Sequence, residues 1–235
     1  MIAFRSLLFN IFMLVSAPVY SALMLPTVVL PFAIRSPLIS GWARMQMFLL
    51  KHLCRLDYRV EGREHLPAGA AIILAKHQSA WETIAFQQIF PPQTWVLKRE
   101  LMWIPLFGWA LALTRPIAID RGAGRKAVEQ VIVQGRNRLQ SGIWVVVFPE
   151  GTRVAPRTRK RYAMGGAALA AETGFPVVPV AHNAGSFWLR RGFLKKPGTV
   201  RVVIGPTIDP RGKKAEEVIK QAEEWIESKM MEIEE

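Results

Sequence analysis

The sequence predicts an α/β fold, a sheet flanked by helices, behind an N-terminal membrane-embedded helical segment. Three observations predict it. From Tyr58 onward, short apolar runs alternate with helical stretches, the pattern of a sheet with helical crossovers. Between Arg5 and Arg35 lie 29 residues without a charge. Finally, 51% of the residues are hydrophobic although the chain has a formal net charge of +13, a pairing uncommon in a soluble enzyme. At 235 residues the chain suits one sizeable core.

The uncharged stretch would reach about 43 Å as a straight helix, more than the ~30 Å of a bilayer's hydrocarbon core. Pro18, Pro26 and Pro31 interrupt it, so the uninterrupted part is expected to run only from Ser6 to Ala17. A segment that short suits a re-entrant or interfacial anchor as well as a crossing one. A cleaved signal peptide is the competing reading, since Arg5, the apolar run and the small pair Ser16-Ala17 fit one loosely. Apolarity that continues to Ile34 argues against it.

After Pro37, Trp42, Met45, Leu49 and Leu53 share one helical face, with Arg44, Lys51 and Arg55 opposite. That stripe suits a headgroup boundary and, equally, a helix packed on the protein's own core. Residues 1–57 are therefore expected to form the anchor and interfacial helices, and 58–235 the catalytic domain. Within the latter, strands are predicted at Ala70–Ala75, Thr94–Leu97, Ile143–Phe148, Val177–Ala181 and Val200–Ile204. Helices are predicted at Glu82–Ile89, Arg125–Gln140, Gly166–Thr173 and about Lys213–Glu235, with Gly142 and Gly174 placed to end the second and third.

Charge is unevenly placed. Residues 213–235 hold eight acids and four lysines, which leaves +17 on residues 1–212. Such a field favours anionic partners, whether headgroups, phosphorylated substrates or nucleic acid. An apolar N-terminus has no use in a nucleic-acid binder, so none is expected as a partner. The basic cluster Arg153, Arg157, Arg159, Lys160, Arg161 and a second one, Arg190, Arg191, Lys195, Lys196, suit an anionic membrane surface or solvated loops. Excess lysine and arginine after the anchor places the catalytic domain on the cytoplasmic face of an inner membrane. The single cysteine, Cys54, excludes an intrachain disulfide and reads as buried filler.

Two segments carry chemistry. Lys76-His77-Gln78-Ser79-Ala80-Trp81-Glu82 follows a predicted strand, and a bend before the next helix would bring Glu82 back to His77. A carboxylate there fixes the imidazole tautomer and leaves the other ring nitrogen to take a proton. Ser79-x-x-Glu82 is also a capping box, the simpler account of this segment taken alone. Phe148-Pro149-Glu150-Gly151-Thr152-Arg153 ends the most apolar strand. Pro149 stops the ladder, Gly151 allows a tight turn, and Arg153 projects a guanidinium suited to a phosphate, unless it pairs with Glu150. There is no G-x-S-x-G elbow, no phosphate loop and no metal-ligand cluster, so no metal or cofactor is expected. His52, His65 and His182 read as structural histidines.

His77-x4-Glu82 and Phe148-Pro149-Glu150-Gly151-Thr152-Arg153 resemble the first and third motifs of the glycerolipid acyltransferase family. Lys98-Arg99-Glu100-Leu101 with Pro105 and Gly108 resembles its second block, Ile119-Asp120-Arg121 the arginine-bearing turn after it, and Val177-Val178-Pro179-Val180 its fourth. The ordered blocks span about Tyr58 to Pro206. The resemblance implies a mixed sheet flanked by helices and a membrane enzyme of phospholipid biosynthesis. It implies His77 as catalytic base with Glu82 as partner, although the family usually has aspartate there. Lys98, Arg121 and Arg153 would hold the acceptor's phosphate, with Glu150, Gly151 and Thr152 in the same substrate-binding set. Val154 and Ala163 depart from the family pattern and are given no role. The implied reaction moves an acyl group from acyl-CoA or acyl-carrier protein to the sn-2 hydroxyl of lysophosphatidic acid. The alternatives are another lysolipid or glycerol 3-phosphate as acceptor, or a non-catalytic basic protein on anionic membranes.

Overall fold

The computed structural model describes residues 1–234; Glu235, the last residue of the expected terminal helix, lies outside the described residues. Two long helices open the chain, α1 (Ile2–Met24) and α2 (Phe32–His52), followed by β1 (Leu56–Glu61), β2 (Ile72–Ala75) and α3 (Trp81–Ile89). Then come β3 (Gln93–Lys98), α4 (Phe107–Ala112), β4 (Ile117–Ile119), α5 (Arg125–Gln140) and β5 (Trp144–Val147). The rest is α6 (Gly165–Thr173), β6 (Val177–His182), α7 (Ala184–Phe187), β7 (Gly198–Ile204) and α8 (Ala215–Ile233).

The seven strands lie in the order β1-β7-β6-β2-β5-β3-β4. β6, β2, β5, β3 and β4 are mutually parallel, whereas β7 runs antiparallel to β6 and carries β1 in parallel. The sheet is therefore mixed, as expected. Its central strands, β2, β5 and β6, are buried along their whole length, because each face has its own apolar cover. One face packs on α2, α3 and the first turns of α1, through Phe9, Leu50, Trp81 and Phe86. The other packs on α5, α6 and α8, through Val131, Leu169, Val218 and Ile226. Gly166 lets α6 sit close to the sheet, since a Cβ there would lie 2.6 Å from Leu74 and 3.3 Å from Val147.

Pro26 and Pro31 interrupt the apolar stretch as expected, between the end of α1 and the start of α2, but Pro18 does not. α1 runs through Pro18, although proline removes one main-chain bond at a cost of about 3 kcal/mol. Contacts on both sides of Pro18 hold the helix. Phe9 is fully buried in the domain core, the Ser16 hydroxyl accepts from Trp42 Nε1 and Gln46 Nε2 (both 3.1 Å), and Tyr20 donates to the Leu38 carbonyl (2.6 Å). α2 starts at Phe32 and runs through Pro37 rather than starting after it. Its buried residues are Ala43, Gln46, Met47 and Leu50, with Trp42, Leu49 and Leu53 half-buried against the same core. The apolar stripe is thus used for packing on the protein, with Arg44, Lys51 and Arg55 exposed. Ile2–Val29 is long and apolar enough to cross a membrane.

Two strands fall outside the predicted set. β4 has only three residues, too few to carry a period. β1 does alternate, with Leu56, Tyr58 and Val60 between Asp57, Arg59 and Glu61, the signature of a half-exposed edge strand.

Candidate active site

Because β6, β2, β5, β3 and β4 are parallel, their carboxyl ends open on one edge of the sheet, where open α/β sheets bind ligands. That edge gathers sequence-distant residues: His77 after β2, Lys98 at the end of β3, Arg121 after β4, and the Phe148–Arg153 turn after β5.

His77 Nδ1 lies 2.8 Å from Glu82 Oε1. The same carboxylate accepts the main-chain N–H groups of Gln78 (2.9 Å) and Ser79 (2.9 and 3.1 Å). Glu82 thus binds the two main-chain N–H groups that precede α3 and orients the imidazole at once, so the reach-back half of the capping box coexists with the His77 pairing. Ser79 takes the lesser capping part, its hydroxyl accepting from Trp81 N–H (3.1 Å). The imidazole stacks on Phe148, 4.0 Å between centroids and 12° between planes. With Nδ1 bound to a carboxylate, Nε2 is the ring nitrogen left free to exchange a proton.

Glu82 is fully buried. Burial pushes its carboxyl up, but the His182 ring, the His77 bond and the Ser79 N–H outweigh that, and it ends below the ordinary value of 4.5. Its contribution to stability is present above the unfolded value and lost as pH falls through the folded one. Acidification below about pH 4.5 should therefore lower the melting temperature of the detergent-solubilised protein more than that of Glu82→Gln. Equal slopes would contradict this.

His77 borders a cavity of about 390 Å³ whose lining combines cations and apolar side chains. Lys98, Arg121 and Arg153 supply the charge; Met13 of α1, Trp42 of α2, Trp95 and Phe107 supply apolar surface. Lys98 stands at the rim, half exposed and paired with Glu100 (3.2 Å). Arg121 donates to the Gly151 carbonyl, which ties the turn after β4 to the turn after β5. Arg153 forms no ion pair among the described residues, and its Nε is buried without a partner. Its carbonyl accepts from Arg190 (2.9 Å), so the two basic clusters meet at this edge.

The other residues of that turn act from behind the cavity. Glu150 does not pair with Arg153. Its buried carboxylate faces Lys76 Nζ (2.8 Å) and accepts the main-chain N–H of His77 (2.8 Å). Gly151 adopts φ +68°, which lets the chain reverse there, and Thr152 is half-buried; neither side lines the cavity. Cys54 is buried, and burial pushes its thiol up, as expected of filler. His65 contacts the Ile204 carbonyl (2.9 Å), His182 contacts the Lys76 carbonyl (2.8 Å), and His52 lies against Phe48 at the surface with the rings tilted by 43°.

Sequence reasoning assigns no role to Lys76 or Glu227 and marks His182 as structural; the three meet just behind His77. Lys76 did leave a signal: a charge directly after the fully buried strand β2 needs a partner.

A family model described as Acyltransferase matches residues 57–183. The chain is 42% identical over 236 residues to the 1-acyl-sn-glycerol-3-phosphate acyltransferase of Pseudomonas aeruginosa, covering 98% of this chain and 92% of that protein. The enzyme of the same name from Escherichia coli is 34% identical over 69% of this chain and 64% of its own length. The crystal structure of the 1-acyl-sn-glycerophosphate (LPA) acyltransferase PlsC from Thermotoga maritima superimposes with a TM-score of 0.79 at 25% identity, over 97% of this chain and 94% of that one. With half of its length under the family model and relatives along nearly all of it, this chain belongs to the acyltransferase family.

Proposed function

We propose that the chain acylates the sn-2 hydroxyl of lysophosphatidic acid from acyl-CoA or acyl-carrier protein, giving phosphatidic acid, with His77 as general base. The observation that carries this reading is the Glu82-bound imidazole in one cavity with three cationic side chains and an apolar lining. His77 Nε2 takes the proton of the acceptor hydroxyl as its oxygen attacks the thioester carbonyl. Glu82 stabilises the imidazolium that forms. Collapse of the tetrahedral intermediate expels the carrier's thiolate, which recovers the proton from His77. Atoms balance without a covalent acyl-enzyme.

Arg153 and Arg121 bind the acceptor phosphate, with Lys98 at the rim, and the apolar lining takes hydrocarbon. Arg153→Ala is expected to raise KM for lysophosphatidate about 10–100-fold, the worth of charge-assisted hydrogen bonds of about 1.5–3 kcal/mol. An unchanged KM would remove Arg153 from the phosphate site. Phosphatidic acid formation with each donor, and with a panel of other lysolipids and glycerol 3-phosphate, tests substrate and carrier together. No product from lysophosphatidate with either donor would overturn the reading.

The enzyme works at an anionic membrane surface, with its domain on the cytoplasmic side of an inner membrane. α1 reaches the domain core at Phe9, is bound to α2 at Ser16 and Tyr20, and borders the cavity at Met13. A helix held in this way against α2 and the domain core stays on the domain's side, so α1 lies in one leaflet and its exposed Leu14, Val15 and Leu23 meet lipid. Cysteine labelling at residue 2 and at residue 28 should then occur from the cytoplasmic side alone; labelling of either from the opposite side would indicate a crossing.

A further inference from the structure

The peptide unit that joins Lys76 to His77 is gripped on both of its polar groups. Its carbonyl accepts from His182 Nε2 (2.8 Å), and its N–H donates to Glu150 (2.8 Å). The His182 tautomer is set by the Ala184 N–H, which donates to Nδ1 (3.3 Å) and leaves the ring proton on Nε2. Glu150 is itself held. The buried Lys76 ammonium lies 2.8 Å from its carboxylate, 2.8 Å from Glu227 of α8 and 3.1 Å from the Thr158 carbonyl. The ammonium donates to Glu227 and to the Thr158 carbonyl, and Glu150 Oε1 faces it as an ion-pair partner without a directed hydrogen bond. Glu227 also accepts from Tyr162 (2.9 Å), and Glu234, beyond the end of α8, accepts from Gln78 Nε2 (2.7 Å). A structural core needs no such density of polar contacts at one strand end. Apolar residues of the same volume are usually as stable.

We infer that His182, together with the Lys76–Glu150–Glu227 network, is a positioning device that fixes the 76–77 peptide and thereby aims the His77 imidazole. α8, remote from the cavity, is then part of the acyl-transfer machinery. The inference rests on His77 being the general base. A clamp on the preceding peptide sets where the His77 Cα–Cβ bond points, and small misplacements of a reacting group cost large factors in rate.

Two substitutions at one position separate positioning from packing. His182→Gln reaches as far as Nε2 and keeps a donor for the Lys76 carbonyl. His182→Asn keeps an acceptor for Ala184 N–H but falls short of Lys76. Both are polar and similar in volume, so a packing role would treat them alike. In purified full-length enzyme, kcat of His182→Asn is expected to fall about tenfold or more, with KM for lysophosphatidate within about twofold, whereas His182→Gln keeps kcat within about threefold. Glu227→Gln, which retains one acceptor, should lower kcat less than Glu227→Leu. Equal kcat in the two His182 variants, or a fall in KM performance alone, would overturn the inference. Near-normal turnover in His77→Ala would instead overturn the general-base reading beneath it.

Discussion

Alanine at His77 is expected to lower the rate of phosphatidic acid formation by about 10²–10⁴-fold, the usual worth of a general base. The acceptor hydroxyl is a weak nucleophile at neutral pH, and no other imidazole reaches the cavity among the described residues. The fold should survive. The ring stacks on Phe148 at the edge of the cavity, and Glu82 keeps the Gln78 and Ser79 N–H groups. Initial rates with saturating donor, alongside sedimentation with anionic vesicles, check both halves of the prediction. Loss of rate with intact membrane binding is the expected pair; turnover near the wild-type value would end the assignment of His77. Glu82→Ala should differ in kind, since removing that carboxylate frees two main-chain N–H groups as well as the imidazole.

Replacement of Lys76 by methionine is expected to cost about 3–5 kcal/mol of stability, the range for breaking a buried ion pair from one side. Methionine fills similar volume, so the loss is electrostatic: Glu150 and Glu227 are left facing each other without the ammonium. The loss should depend on pH, with a sign that can be worked out. Burial already raises the Glu150 carboxyl to about 7, against the pull of Lys76 and the His77 N–H. A raised carboxyl contributes stability at low pH that is lost as pH rises through its folded value. Without Lys76 that value climbs further, so the variant's deficit should grow as pH rises through about 7. Unfolding in detergent at pH 6 and at pH 8 measures it, and a deficit independent of pH would mean that Glu150 is not the group responsible.

Periodicity was enough for the helix Arg125–Gln140, found with those bounds, and for five of the seven strands within a few residues. In each case a local apolar pattern is itself the cause of burial. β1 was missed although Asp57, Arg59 and Glu61 alternate with its apolar residues, and periodicity was not enough for the course of α1 through Pro18. There the deciding contacts come from Trp42, Gln46 and Leu38, in another helix.

The site divides the same way. His77, Glu82 and the Phe148–Arg153 turn were legible because their spacing and their place after apolar strands carry the chemistry. By itself the sequence determined the fold class, the apolar N-terminus, the family resemblance and which side chains are candidates for acyl transfer. Only the tertiary structure decided that Glu150 faces Lys76 rather than Arg153, that Arg121 ties to the Gly151 turn, and that His182 and Glu227 stand behind His77. The physical reason is range. Capping and hydrophobic period act over a few residues, whereas a buried charge takes whichever partner the strand order brings to it, here one 151 positions away.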